Sequence, residues 1–498
     1  VTVFARFRDI ATQQPEQAAL RPLDGPVVSY AELLHRAERI AGGLSAAGVG
    51  RRDPVAMEHD KTPAAYACQL ACLRLGAPVV CLDPANPLVR RERILDQCRP
   101  RVVVRAGHYP SFEVDAPQVP AIDEIHGCDP AYIMFTSGST GFPKGAAIAG
   151  QALLRFVDWI GDELRVTRHD RFTGVNPLHF DNAISDTWVS LLHGASLVPI
   201  PDALLMQPRK VVRRVTEAGC SIWFSVPSLL VYALRLRAFQ AEDLPDLRTM
   251  IFGGEALPKS ALRQLWQLYA PRLRFLNVYG PTEATCMCSA RWTEAADLQQ
   301  DGLLPLGRLA PLFQGLIVDE RLLPVAEGEA GELCLLGEQL TLGYWNDPER
   351  TATALVENPC NPHYRERMYR TGDLVRRDPN SGELHFLGRR DHQIKHMGHR
   401  LELTEIDIAL QDVPGVQQAC AVYLPAADGP GRLIACVQGE IDEAELRLAC
   451  RERLPAYAVP SEWYVWPQLP RNRNGKVDRR ACADRCDEGV FTRAGSDD

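Results

Sequence analysis

The sequence predicts an α/β protein: a large N-terminal part built on doubly wound, mostly parallel sheets, followed by a small α+β domain. Three observations predict it. Through most of the first 300 or so residues, short apolar runs alternate with segments of helical periodicity, the pattern of a parallel sheet wrapped by helices. From 305 to 386 the texture becomes Gly-rich with two-residue alternation, as in Gly331-Glu332-Leu333-Cys334-Leu335, which predicts antiparallel strands. After Gly388 a short mixed pattern begins, of the size of a separate small domain.

Taken in order, helices are expected over 30–44 and 66–75, and strands over 54–57, 78–82 and 101–104. The alternation resumes with helices over 153–164, 186–192, 208–218, 227–237 and 259–269. Strands are expected over 196–200, 221–225, 249–252 and 274–278. The C-terminal part reads as helix 403–411, strands 419–423 and 433–438, and helix 443–454. Domain boundaries are placed at 1–388 and 389–484, with a disordered tail over 485–498.

Bulk composition narrows the function classes. The 498 residues are 46% hydrophobic and 24% charged, with a formal net charge of -8. No Lys/Arg run forms a nucleic-acid patch, and no apolar run reaches the ~18 residues of a membrane span. The first 15 residues lack a signal-peptide core, so a cytoplasmic location is expected. The chain opens on Val rather than Met, which fits trimming or excision from something longer. The 15 Cys include no CxxC pair and no Cys/His cluster with zinc spacing, so buried free thiols are expected. Cys482 and Cys486 are spaced as helix neighbours, and Cys286 and Cys288 as one face of a strand.

The most informative segment is 132–145. A buried strand runs into Thr136-Ser137-Gly138-Ser139-Thr140-Gly141, where every residue is Gly, Ser or Thr. Such a loop offers backbone N–H groups and hydroxyls to an anion without steric bulk, and Lys144 adds positive charge. It is not a Walker A loop, because Pro143 precedes the Lys and Gly145 follows it.

This loop resembles the signature of the adenylate-forming superfamily of acyl-CoA synthetases, firefly-type luciferases and nonribosomal peptide synthetase adenylation domains. Further motifs match in order along almost the whole chain. They are Ser29-Tyr30-Ala31-Glu32-Leu33; Leu75-Gly76-Ala77 running to Leu82-Asp83-Pro84; Asn277-Val278-Tyr279-Gly280-Pro281-Thr282-Glu283; and Gly331-Glu332-Leu333 through Gly343-Tyr344. Tyr369-Arg370-Thr371-Gly372-Asp373-Leu374, the stretch from Gly388 to Leu403, and Asn474-Gly475-Lys476-Val477-Asp478 complete the series.

The resemblance implies a small β-barrel-like subdomain within the large part and a mobile C-terminal domain. It implies a two-step reaction: a carboxylate attacks the α-phosphate of ATP, then a thiol expels AMP. Lys476 would be catalytic, Glu283 a Mg2+ ligand and Asp391 the hinge. Thr136, Ser137, Gly138, Ser139, Thr140 and Lys144 would hold phosphates. Gly254, Glu255, Ala256, Asn277, Tyr279, Gly280, Thr282, Asp373 and Arg389 would complete the ATP/AMP site, with Tyr279 stacking on adenine and Asp373 accepting from the ribose. The acceptor would be phosphopantetheine on a partner carrier protein.

Asp181 resembles the residue that pairs with the substrate ammonium in amino-acid-activating members; its alternative is a helix cap. A pocket of Asp181, Asn182, Ser185, Ser225, Ile251, Gly253, Val278, Cys286 and Met287 would suit a small or medium neutral side chain. Stand-alone D-alanine–carrier ligases are similar over 252–255 and 391–405 but carry Cys where this chain has Gly253. β-Amino-acid ligases, acyl-CoA synthetases, luciferase-like oxidation and a non-catalytic nucleotide-binding module remain the alternatives. Gly42-Gly43-Leu44-Ser45, a superficial phosphopantetheine match, reads instead as helix packing.

Overall fold

The computed structural model describes residues 1–109, 126–138, 141–300, 302–426, 431–471 and 477–487. The chain divides into two compact units. One comprises Val1–Pro84, Gln97–Phe135 and Gly145–Arg390; the other comprises Ala85–Asp96, Thr136–Lys144 and the described residues from Asp391 onward.

The first unit holds two large sheets and a smaller one. In the nine-stranded sheet, the strands Arg274–Tyr279, Thr249–Gly253, Ile222–Ser225, Arg171–Gly174 and Ser196–Pro199 lie side by side and parallel. Antiparallel strands close both of its edges. A six-stranded sheet is ordered Gly343–Tyr344, Lys144–Ala149, Pro130–Thr136, Val79–Leu82, Val55–Glu58, Val102–Val104. The five-stranded antiparallel sheet is built on Arg367–Arg377, which pairs with Ala330–Gly337, Leu355–Glu357 and Leu384–Arg389.

Local chemistry explains the helices. Ser29 caps Tyr30–Ala46 by accepting from Glu32 N, a sequence-legible start. Pro63 opens Pro63–Leu75 at its first turn and Gly76, at φ 66°, closes it in the left-handed conformation. Gly42 and Gly43 lie buried inside Tyr30–Ala46, as the packing reading required. Elements that were not anticipated include helices Val3–Gln13, Leu88–Cys98 and Arg479–Asp487, and strands Lys144–Ala149, Arg171–Gly174 and Glu462–Trp466. The helix expected over 186–192 starts earlier, at Asn182, and widens into a π-helix over Ser185–Val189.

In the second unit, the hairpin Gln393–His396/His399–Glu402 precedes helix Leu403–Gln411. The sheet of Val416–Leu424, Arg432–Gly439 and Glu462–Trp466 is covered by that helix, by Glu443–Arg453 and by Arg479–Asp487. Residues 485–487, expected to begin a disordered tail, instead complete the last helix because Cys486 buries against this sheet. Residues 488–498 lie outside the described residues. No helix among the described residues is long and apolar enough to cross a membrane.

Lys61 joins the two large sheets of the first unit. It follows Val55–Glu58, is almost fully buried, and donates to the carbonyls of Gly174, Val175 and Ile200 at 2.9–3.0 Å. It also pairs with Asp202 at 2.7 Å. Three carbonyls and a carboxylate thus depend on one ammonium. Lys61→Met is expected to destabilise the chain by about 3–5 kcal/mol in denaturant unfolding; a change below about 1 kcal/mol would show that the ammonium is dispensable.

Candidate active site

The parallel strands of the nine-stranded sheet end in one region, where such folds bind ligands. Tyr279 closes Arg274–Tyr279 and its hydroxyl donates to Asp373. Asp373 lies mid-strand and faces its cross-strand partner Arg389, whose guanidinium donates to the other carboxylate oxygen. Burial, and next the Asp373 carboxylate, push the Tyr279 phenol well up, so it stays a donor. Thr371 Oγ1 accepts from Asp373 N at 3.0 Å and fixes the backbone there.

The following turn carries two more carboxylate contacts. Thr282 donates to Asp181 at 2.5 Å, and Tyr344 donates to Glu283 at 2.6 Å. Glu283 is wholly buried. Asp181 stands at the N-cap position of Asn182–Ile184 but makes no capping hydrogen bond, so the cap alternative is not what the structure builds. Tyr344, from the six-stranded sheet, is a site residue whose role the sequence reading did not assign.

Gly280 and Gly253 mark close backbone approaches. A Cβ on Gly280 would meet Met287 Cα at 2.4 Å; one on Gly253 would meet the Val278 carbonyl oxygen at 2.4 Å. Any side chain at 253, Cys included, would collide with the neighbouring strand. Thr285 and Cys286 are both in the left-handed region, at φ 56° and 75°. The expectation that Cys286 shares a strand face with Cys288 is therefore corrected: it sits in a strained turn before strand Ser289–Trp292.

Ile251, Val278, Cys286 and Met287 pack in one hydrophobic cluster. Ser225 is wholly buried at the end of its strand. It aligns with Phe252 rather than Ile251 and accepts from the indole of Trp223 at 2.9 Å. Asn277 is also engaged, donating to Pro305 O. Glu255 accepts from Ser228 N, and Gly254 and Ala256 are at least partly exposed beside it. Two buried hydroxyls, those of Ser185 and Tyr132, have no partner among the described residues. Burial raises the Tyr132 phenol well up, with Cys286 and Asp181 adding to the shift. Tyr132 was not singled out from sequence, where it looks like an ordinary core aromatic.

Behind Phe180 and Asp181 lies a histidine pair. His59 Nε2 and His179 Nδ1 are 2.7 Å apart, and the His179 ring packs on Phe180 at 4.1 Å between centroids. His179 Nε2 is 3.8 Å from Asp83.

In the second unit, Thr136 has a buried hydroxyl oxygen without a partner among the described residues, and Ser137 donates to Arg400 O at 2.7 Å. Gly138 O accepts from Gly141 N at 3.0 Å. Asp391 is exposed and accepts from Gln393 N. Ser139, Thr140 and Lys476 lie outside the described residues. No group of three or more His, Cys, Asp or Glu among the described residues is arranged to hold a metal by side chains alone. A single carboxylate such as Glu283 still fits Mg2+, which commonly takes one or two carboxylates with the rest of its shell from phosphate and water.

Comparison with known proteins bears on this arrangement. The family model described as AMP-binding enzyme matches residues 7–345, and its C-terminal domain model matches 405–476. The chain belongs to the AMP-binding enzyme family. It is 33% identical to a dimodular nonribosomal peptide synthase of Bacillus subtilis over 95% of this chain, but spans only 20% of that protein. It is 32% identical to an L-proline--[L-prolyl-carrier protein] ligase of Pseudomonas fluorescens, covering 96% of this chain and 98% of the relative. Among solved structures, the Vibrio cholerae adenylation domain AlmE in complex with glycyl-adenosine-5'-phosphate aligns with a TM-score of 0.83. That match is 25% identical and covers 98% of each chain. The expected fold, a large α/β part with a small α+β part, is that of the family.

Burial lowers the His59 imidazole to about 4, Asp202 opposing the shift, Lys61 adding to it and Asp60 opposing it. The unfolded imidazole titrates near 6.5. Between these values the unfolded chain holds the proton and the folded chain does not. Stability is therefore expected to fall as pH drops from about 6.5 toward about 4, by about 3 kcal/mol from this group. Urea unfolding across that window checks it: His59→Asn should flatten the slope, and an unchanged slope would assign the titration elsewhere.

Proposed function

We propose that the chain activates an amino acid with ATP and passes it to the phosphopantetheine thiol of a carrier protein. The observation that carries this reading is the Asp181 carboxylate. It is held by Thr282 in the turn that follows Tyr279, not spent on a helix cap. The resemblance assigns an Asp at this position to the substrate ammonium, and a carboxylate and an ammonium brought together out of water stabilise one another. The likeness over nearly the full length of a prolyl-carrier ligase supports the same class.

In this reading the substrate carboxylate attacks the α-phosphorus of ATP, the P–O bond to the β-phosphate breaks, and pyrophosphate leaves. The thiol sulfur then attacks the acyl carbon, loses its proton, and AMP leaves. Asp373 accepts from the ribose hydroxyls, with Arg389 and Tyr279 holding its carboxylate in place. Thr136, Ser137, Gly138, Ser139, Thr140 and Lys144 line the phosphates. Lys476 places its ammonium between carboxylate and α-phosphate, offsetting their repulsion as the bond forms. Glu283, aimed by Tyr344, is the carboxylate that would hold Mg2+, which when bound neutralises phosphate charge. Asp391 is the hinge about which the C-terminal domain exchanges the two half-reactions. The proposed lining of Asp181, Asn182, Ser185, Ser225, Ile251, Gly253, Val278, Cys286 and Met287 holds no charged group besides Asp181, which suits a small or medium neutral side chain.

ATP–pyrophosphate exchange against L-, D- and β-amino acids, with fatty and aryl acids included, tests the reading. Exchange with one small amino acid is expected, falling on the order of 100-fold in Asp181→Ala and roughly 100- to 1,000-fold in Lys476→Ala with ATP binding retained. Exchange only with acids that lack an amino group would overturn the substrate class, and turnover with free coenzyme A but no carrier would overturn the acceptor.

A further inference from the structure

The C-terminal sheet carries a thiol cluster that the adenylation chemistry does not use. Cys420 and Cys436 are direct cross-strand partners on Val416–Leu424 and Arg432–Gly439. Cys482 and Cys486 are one helical turn apart on Arg479–Asp487. The helix lays its two cysteines on the sheet's two. All four are at most 4% exposed and pack among Val422, Ile434, Tyr464 and Trp466.

Their sulfurs touch in sequence. Cys436 Sγ and Cys486 Sγ are 3.5 Å apart, Cys482 contacts Cys436, and Cys420 contacts Cys482. Buried cysteine is commonly a small apolar side chain, but packing alone does not call for four thiols on facing positions of two elements. The arrangement is not a metal cage among the described residues. It matches what a helix-to-sheet cystine needs: residues from two elements with sulfurs already in contact, where a small rotation closes the bond to about 2.05 Å.

We propose that Cys436 and Cys486 form a reversible thiol–disulfide pair that staples helix Arg479–Asp487 to the C-terminal sheet when a low-molecular-weight disulfide is present. Cys486 is the entry point, being the least buried of the four and at the end of its helix. The hydrogen bond from Cys436 lowers its thiol, which favours the attacking thiolate. The Cys486 thiolate attacks one sulfur of the small disulfide, whose S–S bond breaks and releases one thiol. Cys436, giving up its proton, then attacks Cys486 Sγ and expels the second. Two protein thiols lose two electrons and two protons, and the small disulfide gains both as two thiols. In sequence this helix starts three residues after Lys476, so the staple fixes the element that follows the proposed catalytic lysine.

Tryptic mapping separates the candidates, because Arg485 divides Cys482 from Cys486. The full-length chain is incubated with oxidised glutathione, alkylated under denaturing conditions and digested. The expected product joins the peptide 433–447 to the peptide 486–493, disappears after dithiothreitol, and is absent from Cys486→Ser. The thermal midpoint of the oxidised wild type should rise by several degrees and that of Cys486→Ser should not. Four fully alkylated cysteines after oxidation, a cross-link confined to Cys420 or Cys482, or stoichiometric zinc in the purified chain would each overturn the pairing. None of these outcomes depends on which acid the enzyme activates.

Discussion

A charge withdrawn from water has to meet a partner, and in the first unit the partner repeatedly comes from a different sheet. The segment from Tyr279 to Glu283 is where this constraint concentrates. Tyr279 reaches Asp373 in the five-stranded sheet. Thr282 reaches Asp181 on the loop after Arg171–Gly174. Glu283 receives Tyr344 from the six-stranded sheet. Five residues therefore tie three sheets together through three carboxylates. Assembling those sheets and assembling the candidate site are one process, and none of the three carboxylates has its hydrogen-bonding requirement met by its own strand alone.

Backbone proximity does the rest. Strands Thr249–Gly253 and Arg274–Tyr279 pair in parallel with Gly253 opposite Val278, and the Gly253 backbone leaves no room for a Cβ. The chain then turns back so tightly that Gly280 passes Met287, with Thr285 and Cys286 forced into left-handed conformations. Such conformations cost of order 1–3 kcal/mol each and persist only where surrounding contacts over-determine them. Here Thr285 is anchored by its hydroxyl to Gln339 O at 2.6 Å. Small residues thus set how closely these backbones approach, and the strained turn is held by contacts from outside it.

Periodicity in the sequence made the parallel strands and most helices legible, because a buried strand between amphipathic helices has a strong local signal. Helix Leu88–Cys98, with five charged residues among eleven, carries a weaker one and was not anticipated. Within the site, the motifs pointed to Tyr279, Glu283, Asp373 and Arg389 only through family resemblance. Tyr279 and Asp373 are 94 residues apart, and nothing local in either segment says that they meet. His59, Lys61 and Tyr132 were missed for a related reason. His59 and Lys61 lie in the polar run 58–62, which reads as a loop, and their partners His179 and Asp202 are more than a hundred residues distant; Tyr132 sits in an apolar strand and looks like core. Ser225, expected in the pocket through the resemblance alone, accepts from the indole of Trp223, a contact between alternate residues of one strand.

The adjacency of Thr282 and Glu283 has a mechanical consequence. One peptide bond separates the residue that holds the proposed ammonium anchor from the carboxylate proposed for the phosphate side. A shift of that peptide displaces both. Because Tyr344 grips Glu283 while Thr282 grips Asp181, loosening one contact frees the other, and substitutions at Tyr344 and Thr282 should combine non-additively. Positioning errors of about 1 Å remote from reacting atoms can cost on the order of 100-fold in rate. With the roles proposed above, this turn would link substrate binding to alignment of the carboxylate with the α-phosphate through the two adjacent residues Thr282 and Glu283.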